Sequence, residues 1–251
     1  MPAIRPNKVK QKLAAGQTVL SIGGVESAEL IDQLGPAGVD AFWLEAEHGP
    51  VDFSHIPALT RACDLWGITS VVRVNQLDYG LIYRTLDLGA QGICVPHVDT
   101  AEQAQAFVEA AKFSPIGKRG MYPSRQAYGV ADYLDVANDH TLLIALIEDI
   151  RAVENLDAIL KVDHIDVFFV APADLAQSMG KIGRLDDPSV VETVEGTLKR
   201  IMAAGRTAGT TLMNNQKGEH FAAMGVRFLA GSVGPMLSSG IADLKQRVGS
   251  S

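Results

Sequence analysis

Residues 142–180 read LLIALIEDIRAVENLDAILKVDHIDVFFVAPADLAQSMG. Two apolar runs, 142–148 and 165–170, flank a segment, 150–160, whose apolar residues recur at three- and four-residue steps. Runs this uniformly apolar suit strands buried on both faces, as parallel sheets require, and the helical segment between them supplies the crossover that joins parallel neighbours. The stretch reads as a β-α-β unit. Each strand also leads into an acid: Glu148 closes the first, and Asp174 follows the second.

The same alternation extends in both directions. Further strands are expected near 17–23, 39–45, 69–74, 91–95, 208–213 and 226–231, with helical periodicity over 26–35, 54–66, 78–88, 100–112, 188–204 and 216–224. Eight strand-helix alternations in 251 residues match a (β/α)8 TIM barrel, with an open doubly wound sheet as the competing arrangement. No linker or low-complexity tract interrupts the pattern, so residues 1–251 are read as one domain. One connection, 113–141, is long enough to be a lid or binding loop and contains SPIGKRGMYPSRQAYG.

With 47% hydrophobic and 20% charged residues the chain is expected to fold, and a net charge of −7 argues against binding a nucleic-acid backbone. Two cysteines, Cys63 and Cys94, do not make a disulfide framework. The basic start, MPAIRPNKVKQKLAAGQ, lacks the apolar region of a secretory signal, and no run reaches membrane-spanning length. A soluble, cytoplasmic protein is expected.

Active sites in such barrels form where the strands end, so polar residues there come first. Glu45, Glu47 and His48 follow the second strand in LEAEHGP, Arg73 ends the third, and Glu148 and Asp174 follow the fifth and sixth; Asn214 and Asn215 follow the seventh, and Ser232 the eighth. Two carboxylates converging at the mouth repel, and a divalent cation with oxygen ligation, Mg²⁺ or Mn²⁺, removes the penalty. The bland alternative pairs Glu148 with Arg151 or Lys161 and makes Asp174 a helix cap. His48, beside Glu45 or Glu47, suits proton transfer. Arg73 suits a carboxylate or a developing enolate oxygen, or else an internal salt bridge with Glu45, Glu47 or Asp87. Lys118, Arg119 and Arg125 in the long loop are candidates for attracting anionic substrate, or a solvated basic segment. His55, His97, His140, His164 and His220 are read as ordinary polar positions, His97 least securely because VPHV follows the fourth strand. The chain has no Walker A loop, no Rossmann glycine fingerprint and no zinc spacing, and no strand ends on a Schiff-base lysine.

Taken in order, WLEAEHGP, VVRVN, LDLGAQGICVPHVDTAEQA, SPIGKRG, LIEDIRAVENLDAIL and IDVFFVAPADLAQSMG resemble the HpcH/HpaI aldolase family over nearly the whole chain. These are class II pyruvate aldolases, among them 2,4-dihydroxyhept-2-enedioate and 2-keto-3-deoxy sugar acid aldolases. The resemblance implies a barrel of the phosphoenolpyruvate/pyruvate type and a lyase that joins pyruvate or hydroxypyruvate to an aldehyde through an enolate. It implies Glu148 and Asp174 as ligands of a divalent metal (Mg²⁺, Mn²⁺ or Co²⁺), and His48 as the proton-transfer group with an acidic partner, Glu45. Arg73 would stabilise the enolate, Asp87 would be associated with the His48 loop, and the backbone around Ala171, Pro172 and Ala173 would receive the substrate carboxylate. It further implies a homo-oligomer, commonly a hexamer, in which C-terminal helices such as MLSSGIADLKQRV exchange between subunits.

Three positions depart from the family pattern: Glu45 stands where Asp is frequent, Leu146 where Gln is frequent, and Ala171 where Gly is usual, while SIGGVES replaces a tryptophan at the first strand end. These changes bear on substrate choice. Alternative readings are an acyl-CoA lyase of the citrate lyase/malyl-CoA lyase branch and a non-catalytic oxo-acid-binding barrel.

Overall fold

The β-branched and aliphatic runs form eight parallel strands that close into a barrel in sequence order: β1 Val19–Gly23, β2 Ala41–Glu45, β3 Thr69–Arg73, β4 Gly92–Val95, β5 Leu142–Ile147, β6 Val167–Val170, β7 Ala208–Thr211 and β8 Phe228–Ser232. The structure is a computed structural model that describes residues 3–122, 124–212 and 217–249, the side chain of Lys217 excepted. Around the barrel lie α1 Lys8–Ala14, α2 Ala28–Leu34, α3 Ile56–Leu65, α4 Tyr79–Asp87, α5 Ala101–Ala111 and α6 Tyr133–His140. They are followed by α7 Ile150–Glu154, α8 Leu156–Ile159, α9 Pro172–Ser178, α10 Pro188–Ala203, α11 Lys217–Met224 and α12 Val233–Val248. Ring closure excludes the open doubly wound sheet. Consecutive parallel strands are what βα crossovers of this length produce.

Alternation along each strand divides the core in two. Phe42, Leu44, Val72, Ile93, Leu143 and Phe168 face outward into the layer shared with the helices, where they are buried. Their neighbours Ala41, Trp43, Val71, Cys94, Ile144, Leu146, Phe169 and Phe228 fill the barrel interior. Trp43, Phe169 and Phe228 meet with ring centroids 5.3, 6.5 and 6.0 Å apart, and each buried ring contributes about 2 kcal/mol. One step of the same two-residue period beyond this aromatic layer brings Glu45 and Arg73, paired in register, to the mouth.

Helix α1 and the long connection differ from the sequence expectation. The N-terminal segment forms α1, which seals the end of the barrel opposite the mouth. Val9 is fully buried among interior residues, while Asn7 caps the helix and donates through Nδ2 to Gln91 O (3.0 Å) and His140 O (2.9 Å). The described residues of the 113–141 connection are not a lid over the mouth. They contain α6 and lie at this same sealed end, where Arg119 meets Asp87, Arg125 meets Asp64, and the buried Lys112 donates to Thr141 O (2.7 Å). The basic residues of that loop are therefore internal partners of acids at the ends of α3 and α4, and Lys118 pairs with Glu109.

Candidate active site

The mouth opens on a cavity of about 430 Å³ lined by Trp43, Glu45, His48, Arg73, Leu146 and Asp174, among others. Glu45 organises one side. Its Oε1 accepts the backbone N–H groups of Glu47 (2.9 Å) and His48 (3.0 Å), and its Oε2 accepts Trp43 Nε1 (3.2 Å) and Arg73 Nε (2.8 Å). Burial would raise its pKa, but the hydrogen bond and charge of Arg73 outweigh that and hold the carboxyl below the usual range. Gly49 permits the turn: a Cβ there would lie 2.7 Å from Glu45 O.

Arg73 is the hub, its Nη2 2.7 Å from Glu45 and its Nη1 3.0 Å from Glu47 Oε2. The Glu47 contact is an ion pair without hydrogen-bond geometry, since that buried oxygen has no hydrogen-bond donor. Burial pushes Glu47 upward, against the pull of Arg73 and His48. The His48 ring is exposed, and its Nε2 lies 3.8 Å from Glu47 Oε2. Glu47 is thus the acid beside the imidazole, while Glu45 holds the loop by its backbone.

Directly after β5, Glu148 is buried, its Oε1 accepting the His97 N–H at 2.8 Å with His97 Nδ1 3.4 Å away. Burial pushes its carboxyl up to about 7, opposed by the N–H and imidazole of His97 and reinforced by the charges of Asp174 and Glu47. His97 adopts a left-handed backbone (φ 53°), uncommon for a residue with a Cβ, which directs its N–H at the carboxylate. The sequence hint was its place after the fourth strand. Neither bland pairing holds: Arg151 binds Asp99 and Asp149, and α9 begins after Ala171 with no side-chain cap.

Asp174 lies in the first turn of α9 and lines the cavity. Two oxygen donors suit a hard divalent ion, whose charge would offset the burial and the neighbouring negative charge that raise Glu148. Among the described residues no group of three or more His, Cys, Asp and Glu is placed to hold an ion, so ligands beyond these two would be water or substrate. At the same helix start the Ala171 N–H is used by Ile147 O (3.3 Å) and Pro172 has none, leaving the Ala173 and Asp174 amides open in the first turn.

Asp87 is not brought to this cavity within one chain. It ends α4 and binds Arg119 at 2.6 Å. Asn214 and Asn215 lie outside the described residues. Ser232 lines the cavity.

A closed (β/α)8 barrel with its unbalanced charge gathered at the strand ends has the plan of a barrel enzyme. Residues 17–237 match the family model for HpcH/HpaI aldolase/citrate lyase, and the chain belongs to that family. A hydroxypyruvate/pyruvate aldolase of Cupriavidus necator is 36% identical over 242 residues, spanning 94% of this chain and 89% of the relative. A 2-keto-3-deoxy-L-rhamnonate aldolase of Klebsiella pneumoniae is 35% identical over 94% of this chain and 91% of its own. Among solved structures, a HpcH/HpaI aldolase/citrate lyase family protein from Burkholderia cenocepacia superposes with a TM-score of 0.91 at 28% identity, covering 97% of this chain and all (100%) of the other.

Proposed function

We propose that the chain is a class II aldolase, a carbon-carbon lyase that makes or cleaves 4-hydroxy-2-oxo acids from pyruvate or hydroxypyruvate and an aldehyde. The observation that carries this is the buried Glu148, raised by burial and by the charges of Asp174 and Glu47, at the barrel end where Glu45, Arg73 and Asp174 line one cavity. In this reading Glu148 and Asp174 hold a divalent cation, and Mg²⁺, Mn²⁺ and Co²⁺ all accept oxygen donors. When bound, such an ion acts as a Lewis acid toward the oxo acid.

The chain's own residues do the rest. The Ala173 and Asp174 amides, next to Ala171 and Pro172, receive the substrate carboxylate. Arg73 cannot lose its charge and offers donors toward the oxygen that becomes negative on enolisation. Glu45 fixes the Arg73 fork and the His48 backbone. His48, next to Glu47, moves the proton between substrate and solvent. A part for Asp87 beside His48 requires a second copy of the chain, because within one chain its carboxylate is committed to Arg119.

A homo-oligomer, with a hexamer as the family expectation, is supported by α12. None of its residues is buried, and Leu237, Ile241, Leu244 and Val248 form an exposed stripe at three- and four-residue spacing. Among the described residues no helix is long and apolar enough to cross a membrane.

Exchange of the pyruvate methyl protons in deuterated buffer tests the reading without knowledge of the aldehyde. Exchange that needs Mg²⁺ or Mn²⁺ and fails in His48→Ala and Arg73→Ala is expected. Oxo-acid binding with no exchange would mark a non-catalytic binding barrel instead.

A further inference from the structure

The groups assigned above occupy only part of the ring: β2 and β3 carry the acid/base cluster, β5 and β6 lead to the carboxylate pair and the open amides. The remaining arc of the cavity wall is made by the ends of β7, β8 and β1, and three polar side chains stand on it: Thr211, Ser232 and Glu26. None of the three side chains makes a hydrogen bond or ion pair among the described residues. The hydroxyl that is engaged on β7 belongs to Thr210, which donates to Val170 O, and it is Thr211 that lines the cavity.

Ser232 is the more telling case. It occupies the N-cap position of α12, where a serine oxygen ordinarily accepts an N–H of the first turn, yet it makes no such bond. Its Oγ lies instead against the end of β1, 3.1 Å from where a Cβ of Gly24 would stand; Gly24 has φ +77° and carries none. Ser232 pairs in register with Gly23, so the hydroxyl sits beside the chain that leads directly to Glu26. Glu26 itself is exposed at the rim. Among the described residues Arg73 is the one guanidinium lining the cavity, and it is already held by two carboxylates.

We infer that this arc receives the acceptor aldehyde, and that Glu26, with Ser232 and Thr211, selects acceptors that are uncharged and hydroxylated over acceptors that carry a carboxylate. The assignment rests on the aldolase reading. A carboxylate at the rim accepts hydrogen bonds from substrate hydroxyls and repels an acid; hydroxyl side chains both donate and accept. Glu26 is a specificity-determining residue in this scheme and takes no part in enolisation.

The test measures aldol formation from pyruvate with Mn²⁺ and the full chain, comparing glyceraldehyde, propanal and succinic semialdehyde, alongside pyruvate proton exchange in the absence of aldehyde. At low salt the wild-type kcat/KM for glyceraldehyde should exceed that for succinic semialdehyde by about tenfold or more, the size expected when a hydrogen bond to a charged group is lost. Glu26→Gln should narrow that ratio and Glu26→Lys should reverse it, chiefly through KM of the acidic aldehyde, and added salt should shrink the wild-type gap. Ser232→Ala should weaken glyceraldehyde about threefold to tenfold while leaving propanal at its wild-type value. Identical aldehyde ratios in the wild type, Glu26→Gln and Glu26→Lys would overturn the assignment with the aldolase reading intact. No proton exchange in the wild type would overturn the aldolase reading, and this inference with it.

Discussion

At the sealed end of the barrel Arg119 meets Asp87 at 2.6 Å, Arg125 meets Asp64 at 2.6 Å, and Asp40 receives Lys12 at 2.7 Å and Lys8 at 3.2 Å. At the mouth Glu45 and Glu47 share one arginine, Arg73, while Glu47 and Glu148 have the imidazoles of His48 and His97 beside them and Asp174 has no ion pair among the described residues. Both ends bury charge. One end balances it inside the chain and the other does not. The contrast also appears in the acids themselves: burial works to raise both Asp40 and Glu148, but lysine and backbone donors bring Asp40 below the usual range, whereas Glu148 stays up at about 7. Charge left unbalanced in a folded chain costs stability, so it marks the place where a ligand completes the structure.

Removing the excess should have the largest effect. Glu148→Gln is expected to lower pyruvate proton exchange on the order of a thousandfold, while raising the melting temperature of the metal-free protein and abolishing the increase that Mn²⁺ gives the wild type. A metal-free variant no more stable than the wild type would break the charge argument. Arg73→Met, which leaves the half-buried Glu45 and Glu47 without the cation they share, should lose about 3 kcal/mol of stability in denaturant unfolding and on the order of a hundredfold in exchange. Arg125→Met at the other end leaves Asp64 with Arg5 at 3.6 Å and the Gln126 amide at 3.4 Å, so it should cost less, about 2 kcal/mol, and leave exchange per folded molecule at the wild-type value.

The two ends should also respond oppositely to pH. The folded-state pKa of Glu148 is above its unfolded value of 4.5, so the folded protein holds the extra proton between 4.5 and about 7; stability from this group is present at the acid side and is lost as pH rises through that window. Asp40 is depressed below 3.8, so its contribution is present above that value and is lost as pH falls through the folded pKa. In metal-free melting curves Glu148→Gln should flatten the decline between about pH 5 and pH 7, and Asp40→Asn should flatten the loss below about pH 4. The smallest effect is expected of Lys12→Met, about 1 kcal/mol, because Asp40 keeps Lys8 and the Leu20 N–H.

Much of this was legible in the chain. Short, uniformly apolar runs alternating with segments of helical spacing give the strands and the barrel, and the rule that strand ends form the mouth selects Glu45, His48, Arg73, Glu148 and Asp174. The pairings were not legible. LEAEHGP offers two acids to His48, and spacing cannot say that Glu45 turns back onto the loop's own N–H groups while Glu47 lies beside the imidazole. His97 resembles any surface histidine until its backbone conformation aims an N–H at Glu148. Arg119 and Arg125 look like a basic loop near substrate because the turn of the chain that carries them to the sealed end depends on contacts with α3 and α4.

By itself, then, the sequence determined which residues are strand, which faces are apolar and which polar groups fall at strand ends, because those follow from local periodicity and the demand that apolar faces be buried. Only the tertiary structure decided which acid meets which base, that α1 stoppers the barrel, that Asp87 lies at the opposite end from His48, and that α12 leaves an apolar stripe bare. Such choices are fixed by ring closure, which sets distances between residues far apart in the chain, and no local pattern encodes those distances.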